Sequence, residues 1–138
     1  MGHNIKCTWR DGMTFDAQVD NHTITLDAAE AVGGKDKGPT PKPMLLVSLA
    51  GCTGMDVISI LKKMKQPYSY FDVKVEAELT DEHPKYYHTI KVIYEFKKED
   101  GLDESKVEKA VQLSQERYCG VSEMMRQAAE LDYEIRYI

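Results

Sequence analysis

Three cysteines carry most of the chemistry that this 138-residue sequence offers, and two of them stand beside glycine. Cys52 sits in Ala50-Gly51-Cys52-Thr53-Gly54, where small neighbours let a ligand or another backbone come close. Taken alone, a thiol inside an apolar helix reads as a small hydrophobe of the core. Cys119 precedes Gly120 at a helix break and faces the positive end of a short helix starting near Ser122, a setting that favours thiolate. Two helical thiols far apart in sequence are compatible with an attacking and a resolving pair. Cys7 shares a strand face with Ile5 and Trp9 and reads as core.

Other chemistries find less support. Gly33 and Gly38 have phosphate-loop spacing, but Pro39-Thr40 stands where a lysine and a hydroxyl residue are needed, so the segment reads as a flexible loop. His3, His22, His83 and His88 are scattered at strand and turn positions without ligand spacing, so no zinc site is expected from them. A Cys52–His88 nucleophile–base pair is the hydrolytic alternative, since such partners meet in space rather than in sequence. Met44, Met55, Met64, Met124 and Met125 read as packing before they read as a pocket lining. Lys62-Lys63 and Lys97-Lys98 read as solvated ends of elements.

The elements that must position these thiols follow from patterning. A chain of this length builds a core without staples, and an odd cysteine count does not fit a secreted disulfide framework. With no basic-then-apolar leader at Met1–Lys6, a reducing, cytoplasmic setting is expected. The net charge of −5 disfavours nucleic acid, which needs a basic stripe. Apolar alternation over residues 5–26, with turns at Asp11-Gly12 and Asp20-Asn21, predicts a three-stranded antiparallel meander. A Gly- and Pro-rich loop leads to Pro43, placed to open a helix running to Met64.

Met44–Leu61 carries a single charge, Asp56, long enough to be considered as a membrane span but interrupted by an ionisable group; no membrane is expected. A helix apolar all round must be covered on all sides. That is hard for so short a chain, so a homodimer is expected. Val73–Leu79 and Ile90–Phe96 predict a hairpin, Asp103–Tyr118 a helix, Ser122 the cap of a second helix ending near Ala129, and Leu131–Tyr137 a last strand.

The run from Gly38 through Pro43, Met44, Ala50-Gly51-Cys52-Thr53-Gly54 to Val57, followed by Glu116-Arg117-Tyr118-Cys119-Gly120-Val121-Ser122, resembles the two cysteine motifs of the OsmC/Ohr proteins. The order of strands and helices matches as well, so the resemblance covers nearly the whole chain as a single domain over residues 1–138. It implies an α+β fold, an intertwined homodimer with a long buried central helix and antiparallel strands.

The resemblance further implies a thiol-dependent peroxidase. Cys52 matches the peroxidatic thiol and Cys119 the resolving one, joined as a disulfide after turnover and restored by an external dithiol, with no cofactor or metal. An arginine from the N-terminal strands should support the thiolate; Arg10 matches it best and Arg117 is the fallback. The family's glutamate that holds this arginine has no counterpart in Pro41-Lys42-Pro43-Met44, which leaves Asp56 or Glu116 to do so, or turnover to be weak. The alternative is a dimer of the same fold that binds a small apolar ligand or senses redox state without catalysis.

Overall fold

The computed structural model describes every residue from Met1 to Ile138 and divides into two compact units, Met1–Val47 and Ser48–Ile138. In the first, β1 (Lys6–Asp11), β2 (Thr14–Val19) and β3 (His22–Leu26) form the expected antiparallel meander, with Cys7 opposite Ala17 and Ala17 opposite Ile24. Cross-strand partners share a face. Ala17 is buried on that face, but Cys7 and Trp9 on the edge strand β1 are exposed. Cys7 is therefore not a core residue of the single chain: the apolar side of β1 has nothing laid over it.

The loop after β3 is built rather than loose. Buried Asp27 accepts hydrogen bonds from the Ala28, Lys35 and Lys37 amides at 2.8, 3.3 and 3.2 Å and from the Thr14 hydroxyl at 3.1 Å. A Cβ at Gly34 would lie 1.7 Å from the Ala28 carbonyl oxygen and one at Gly38 2.1 Å from that of Thr25. These glycines serve close backbone approach, not phosphate binding.

Burial works against the Asp27 charge, yet the four donors hold its carboxyl below the usual range. A depressed folded pKa contributes stability that is present above the unfolded value, about 3.9, and lost as pH falls through the lower folded value. Urea midpoints should therefore drop below about pH 4, and Asp27→Asn should flatten that acid limb while weakening the protein at neutral pH. An acid limb unchanged by the substitution contradicts this assignment.

Helix α1 (Pro43–Lys63) begins in the first unit and continues through the second. Leu49, Thr53, Val57 and Leu61, four apart, form its buried stripe. Leu45, Val47 and Met55 on its other faces are exposed. By length and composition α1 could cross a membrane, but it packs this stripe into protein.

The second sheet has the order β4 (Phe71–Leu79), β5 (Tyr87–Phe96), β6 (Glu130–Tyr137). β4 and β5 pair antiparallel, and β4 alternates half-buried Phe71, Val73 and Val75 with exposed Asp72, Lys74 and Glu76. β6 pairs parallel to β5. Alternation fixes which side chains point inward but not strand direction, and the helical crossover between the two strands returns the chain in the same sense.

That crossover is α2 (Glu104–Leu113), a π-helical turn (Ser114–Tyr118) and α3 (Gly120–Ala128), where periodicity predicted one uninterrupted helix to Tyr118. The Asp103 side chain caps α2 by accepting from the Ser105 amide at 3.0 Å. Val107, Ala110 and Val111 of α2, Val92, Ile93, Tyr94 and Phe96 of β5, and Leu49, Val57 and Leu61 of α1 are the fully buried apolar residues of this unit. Truncating any of the large ones leaves a cavity and costs about 2–5 kcal/mol.

Candidate thiol site

Cys52 lies midway along α1, one residue before buried Thr53. A run of hydrogen bonds starts from that threonine. Thr53 Oγ1 is 2.6 Å from the Tyr94 hydroxyl and 2.8 Å from Ser114 Oγ, Ser114 Oγ donates to Asp56 Oδ2 at 2.9 Å, and Gln115 Nε2 donates to the Tyr94 oxygen at 2.6 Å. Each hydroxyl has one proton. Because that of Ser114 goes to Asp56, Thr53 must donate to Ser114, and Tyr94 must donate to Thr53. The protons run one way, from Gln115 to the Asp56 carboxylate. Arg126 closes the far end by donating to the Gln115 carbonyl oxygen at 2.6 Å.

This network anchors the π turn, and the turn delivers Cys119. The Cys119 amide donates to the Ser114 carbonyl five residues back at 2.8 Å, a widening that inserts one residue before the sulfur. Cys119 is itself the N-cap of α3, its Sγ accepting from the Ser122 amide at 3.3 Å. Ser122 is thus not the cap that the sequence suggests, and its hydroxyl is fully buried without a partner. A buried hydroxyl with no partner is a net cost. Ser122→Ala should raise unfolding free energy by about 1 kcal/mol, read as a higher urea midpoint; a loss of stability would reveal a bond this geometry lacks.

The two sulfurs come together. Cys52 Sγ, Cys119 Sγ and an Asp56 carboxylate oxygen lie within 4.8 Å of one another, and both cysteines are free thiols. Burial pushes the Cys52 thiol up, the neighbouring Cys119 and the Asp56 charge add to this, and the Val121 amide works against it. A groove of about 330 Å³ lies over the turn, lined by residues that include Glu116, Tyr118, Cys119 and Gly120.

The charged candidates fall differently. Arg10 is in the first unit, its Nε 2.9 Å from Asp16 Oδ2, and Asp16 is held below the usual carboxylate range by the Thr25 hydroxyl and by Arg10 itself. The carboxylate that holds Arg10 is therefore Asp16 of the adjacent strand, neither Asp56 nor Glu116. Asp56 is bound by Ser114, and Glu116 accepts from Gln112. Arg117, the fallback, lies over the Tyr118 ring at 5.8 Å. His88 is exposed on β5, six residues and about 20 Å along the strand from the Tyr94 that bonds Thr53, so it does not pair with Cys52.

The β-β-β-α-β-β-α-α-β order, with one thiol on the long helix and a second at a helix N-cap, is that of an OsmC-type fold. A family model described as OsmC-like protein matches residues 34–134, and the chain belongs to that family. Protein YhfA of Escherichia coli K12 is 33% identical over 126 residues, covering 91% of this chain and 90% of YhfA. A hypothetical protein from Aquifex aeolicus superposes with a TM-score of 0.81 at 28% identity, covering 100% of this chain and 98% of its own. An organic hydroperoxide resistance protein OsmC from Legionella pneumophila gives a TM-score of 0.70 at 14% identity, covering 98% of this chain and 96% of its own, a likeness of fold.

Proposed function

We propose that the protein is a thiol peroxidase for organic hydroperoxides, working as a cytoplasmic homodimer. The observation that carries this reading is the convergence of Cys52 and Cys119 to within 4.8 Å from positions 67 residues apart, in a family whose structural relatives include proteins described as conferring organic hydroperoxide resistance. The Cys52 thiolate attacks the peroxide O–O bond, and the alkoxide leaves with a proton as the alcohol. The sulfur becomes a sulfenic acid. Cys119 displaces its hydroxyl as water and forms the disulfide, which an external dithiol returns to two thiols by exchange. Arg10, pre-oriented by Asp16, is the cation assigned to the Cys52 thiolate. A partner copy covers the exposed Leu45, Val47 and Met55 on α1.

Mass spectrometry tests both parts. Under native conditions the particle should weigh two chains. After one equivalent of cumene hydroperoxide, with a chelator present, the denatured chain should lose two hydrogens, with a peptide joining Cys52 to Cys119. An unchanged mass removes the peroxidase. It would leave the non-catalytic ligand-binding reading, which the raised Cys52 thiol favours.

A further inference from the structure

Three potential metal-ligand atoms meet at the thiol site, none of them from a histidine. Cys52 Sγ, Cys119 Sγ and an Asp56 carboxylate oxygen form a triangle with no edge longer than 4.8 Å. Tetrahedral zinc, with bonds of about 2.3 Å to sulfur and 2.0–2.2 Å to oxygen, needs edges of about 3.5–3.8 Å, so any edge has to contract by about 1.3 Å at most. Two of the three ligand side chains already have an outer donor: the Ser122 amide for the Cys119 sulfur and the Ser114 hydroxyl for the Asp56 carboxylate. Such outer bonds orient ligands and hold their charge. On losing their protons to a bound cation, two thiolates and a carboxylate this close would together neutralise its charge. The arginines nearest in sequence to Cys119 are engaged elsewhere, Arg117 over Tyr118 and Arg126 on Glu123 and the Gln115 carbonyl.

We propose that the reduced protein binds one thiophilic divalent cation, of the class of zinc, through Cys52, Cys119 and Asp56, with the fourth position open. Each thiol gives up its proton to solvent on binding, and no electron is transferred. The bound ion masks both sulfurs, so metal-loaded and disulfide forms exclude one another. The site uses the same thiols as the peroxidase but needs no peroxide chemistry, so either reading can fail alone.

The test uses the full-length, reduced, chelator-stripped protein without hydroperoxide. Zinc chloride is titrated in competition with a chromophoric chelator while proton release is followed, and cobalt chloride is used as the spectroscopic probe. The expected result is one zinc per chain, about two protons released per zinc, and thiolate-to-cobalt absorption with a tetrahedral signature. Asp56→Asn should weaken zinc binding at least about tenfold, and Cys7→Ser should leave it unchanged. Equal affinity in Asp56→Asn, binding that follows Cys7, or a cobalt complex lacking thiolate absorption would mean an adventitious thiol site and overturn the proposal. The wild-type proton count and cobalt spectrum decide the question even if the asparagine variant does not fold.

Discussion

Cys52→Ser is expected to lower hydroperoxide-dependent dithiol consumption by on the order of 10³-fold or more, because an alcohol at this position lacks both the acidity and the nucleophilicity of a thiol. Cys119→Ser separates the two steps. It should still release about one equivalent of alcohol and then stop with a sulfenic acid on Cys52, trapped as a dimedone adduct. Steady turnover by Cys52→Ser would transfer the chemistry to another group, and unimpaired cycling by Cys119→Ser would mean that external thiols resolve the intermediate without it. The short distance between the sulfurs predicts closure within one protomer, so the linked peptide should come from a single chain.

Among substitutions that preserve side-chain shape, Thr53→Val is expected to be the most damaging outside the thiols themselves. Valine keeps the shape of threonine but removes the acceptor of the Tyr94 proton and the donor to Ser114, two groups with no access to solvent. Tyr94 keeps the bond from Gln115 and Ser114 keeps its bond to Asp56, so the main loss is the Tyr94 proton left without an acceptor, and unfolding free energy should fall by about 1–3 kcal/mol. Thr53→Ser keeps the hydroxyl and loses only a methyl group, at about 1 kcal/mol. Urea unfolding of the two variants compares the contributions directly. Equal losses would mean that the methyl, not the hydroxyl, is what the core requires. Because Ser114 also begins the turn that carries Cys119, the valine variant should in addition slow disulfide closure.

The elements were legible because their signals are local. Alternation in β1 to β5, Pro43 at the first turn of α1 and the break at Cys119-Gly120 each depend on residues a few positions apart. Cys52 and Cys119 could be singled out from their glycine neighbours and from the motifs around them. What stayed hidden depends on pairs distant in sequence. Nothing near Asp56 announces that Ser114 will bind it, and Thr53, Tyr94 and Gln115 look like ordinary core and helix residues until the fold brings them together. The π turn was missed for a related reason: one extra residue in a turn leaves the apolar spacing of Val107, Ala110 and Val111 untouched. The partner of Arg10 is neither Asp56 nor Glu116 but Asp16, six residues along a hairpin, a pairing that follows from strand register rather than from any local motif. Cys7 was misplaced because apolar patterning reports which face a residue lies on, not whether anything covers that face.

The single sense of the hydroxyl chain makes the second unit's interior responsive to an event at its rim. Asp56 is the acceptor toward which every proton in the series is aimed, and removing it, as in Asp56→Ala, leaves the Ser114 proton without that acceptor. Ser114, Thr53 and Tyr94 are then free to reverse in concert, as a row of compass needles does when its magnet is withdrawn. The reversal would be felt at Gln115, whose amide must release the tyrosine oxygen or rotate, and so at the carbonyl grip on Arg126 at the far side of the crossover.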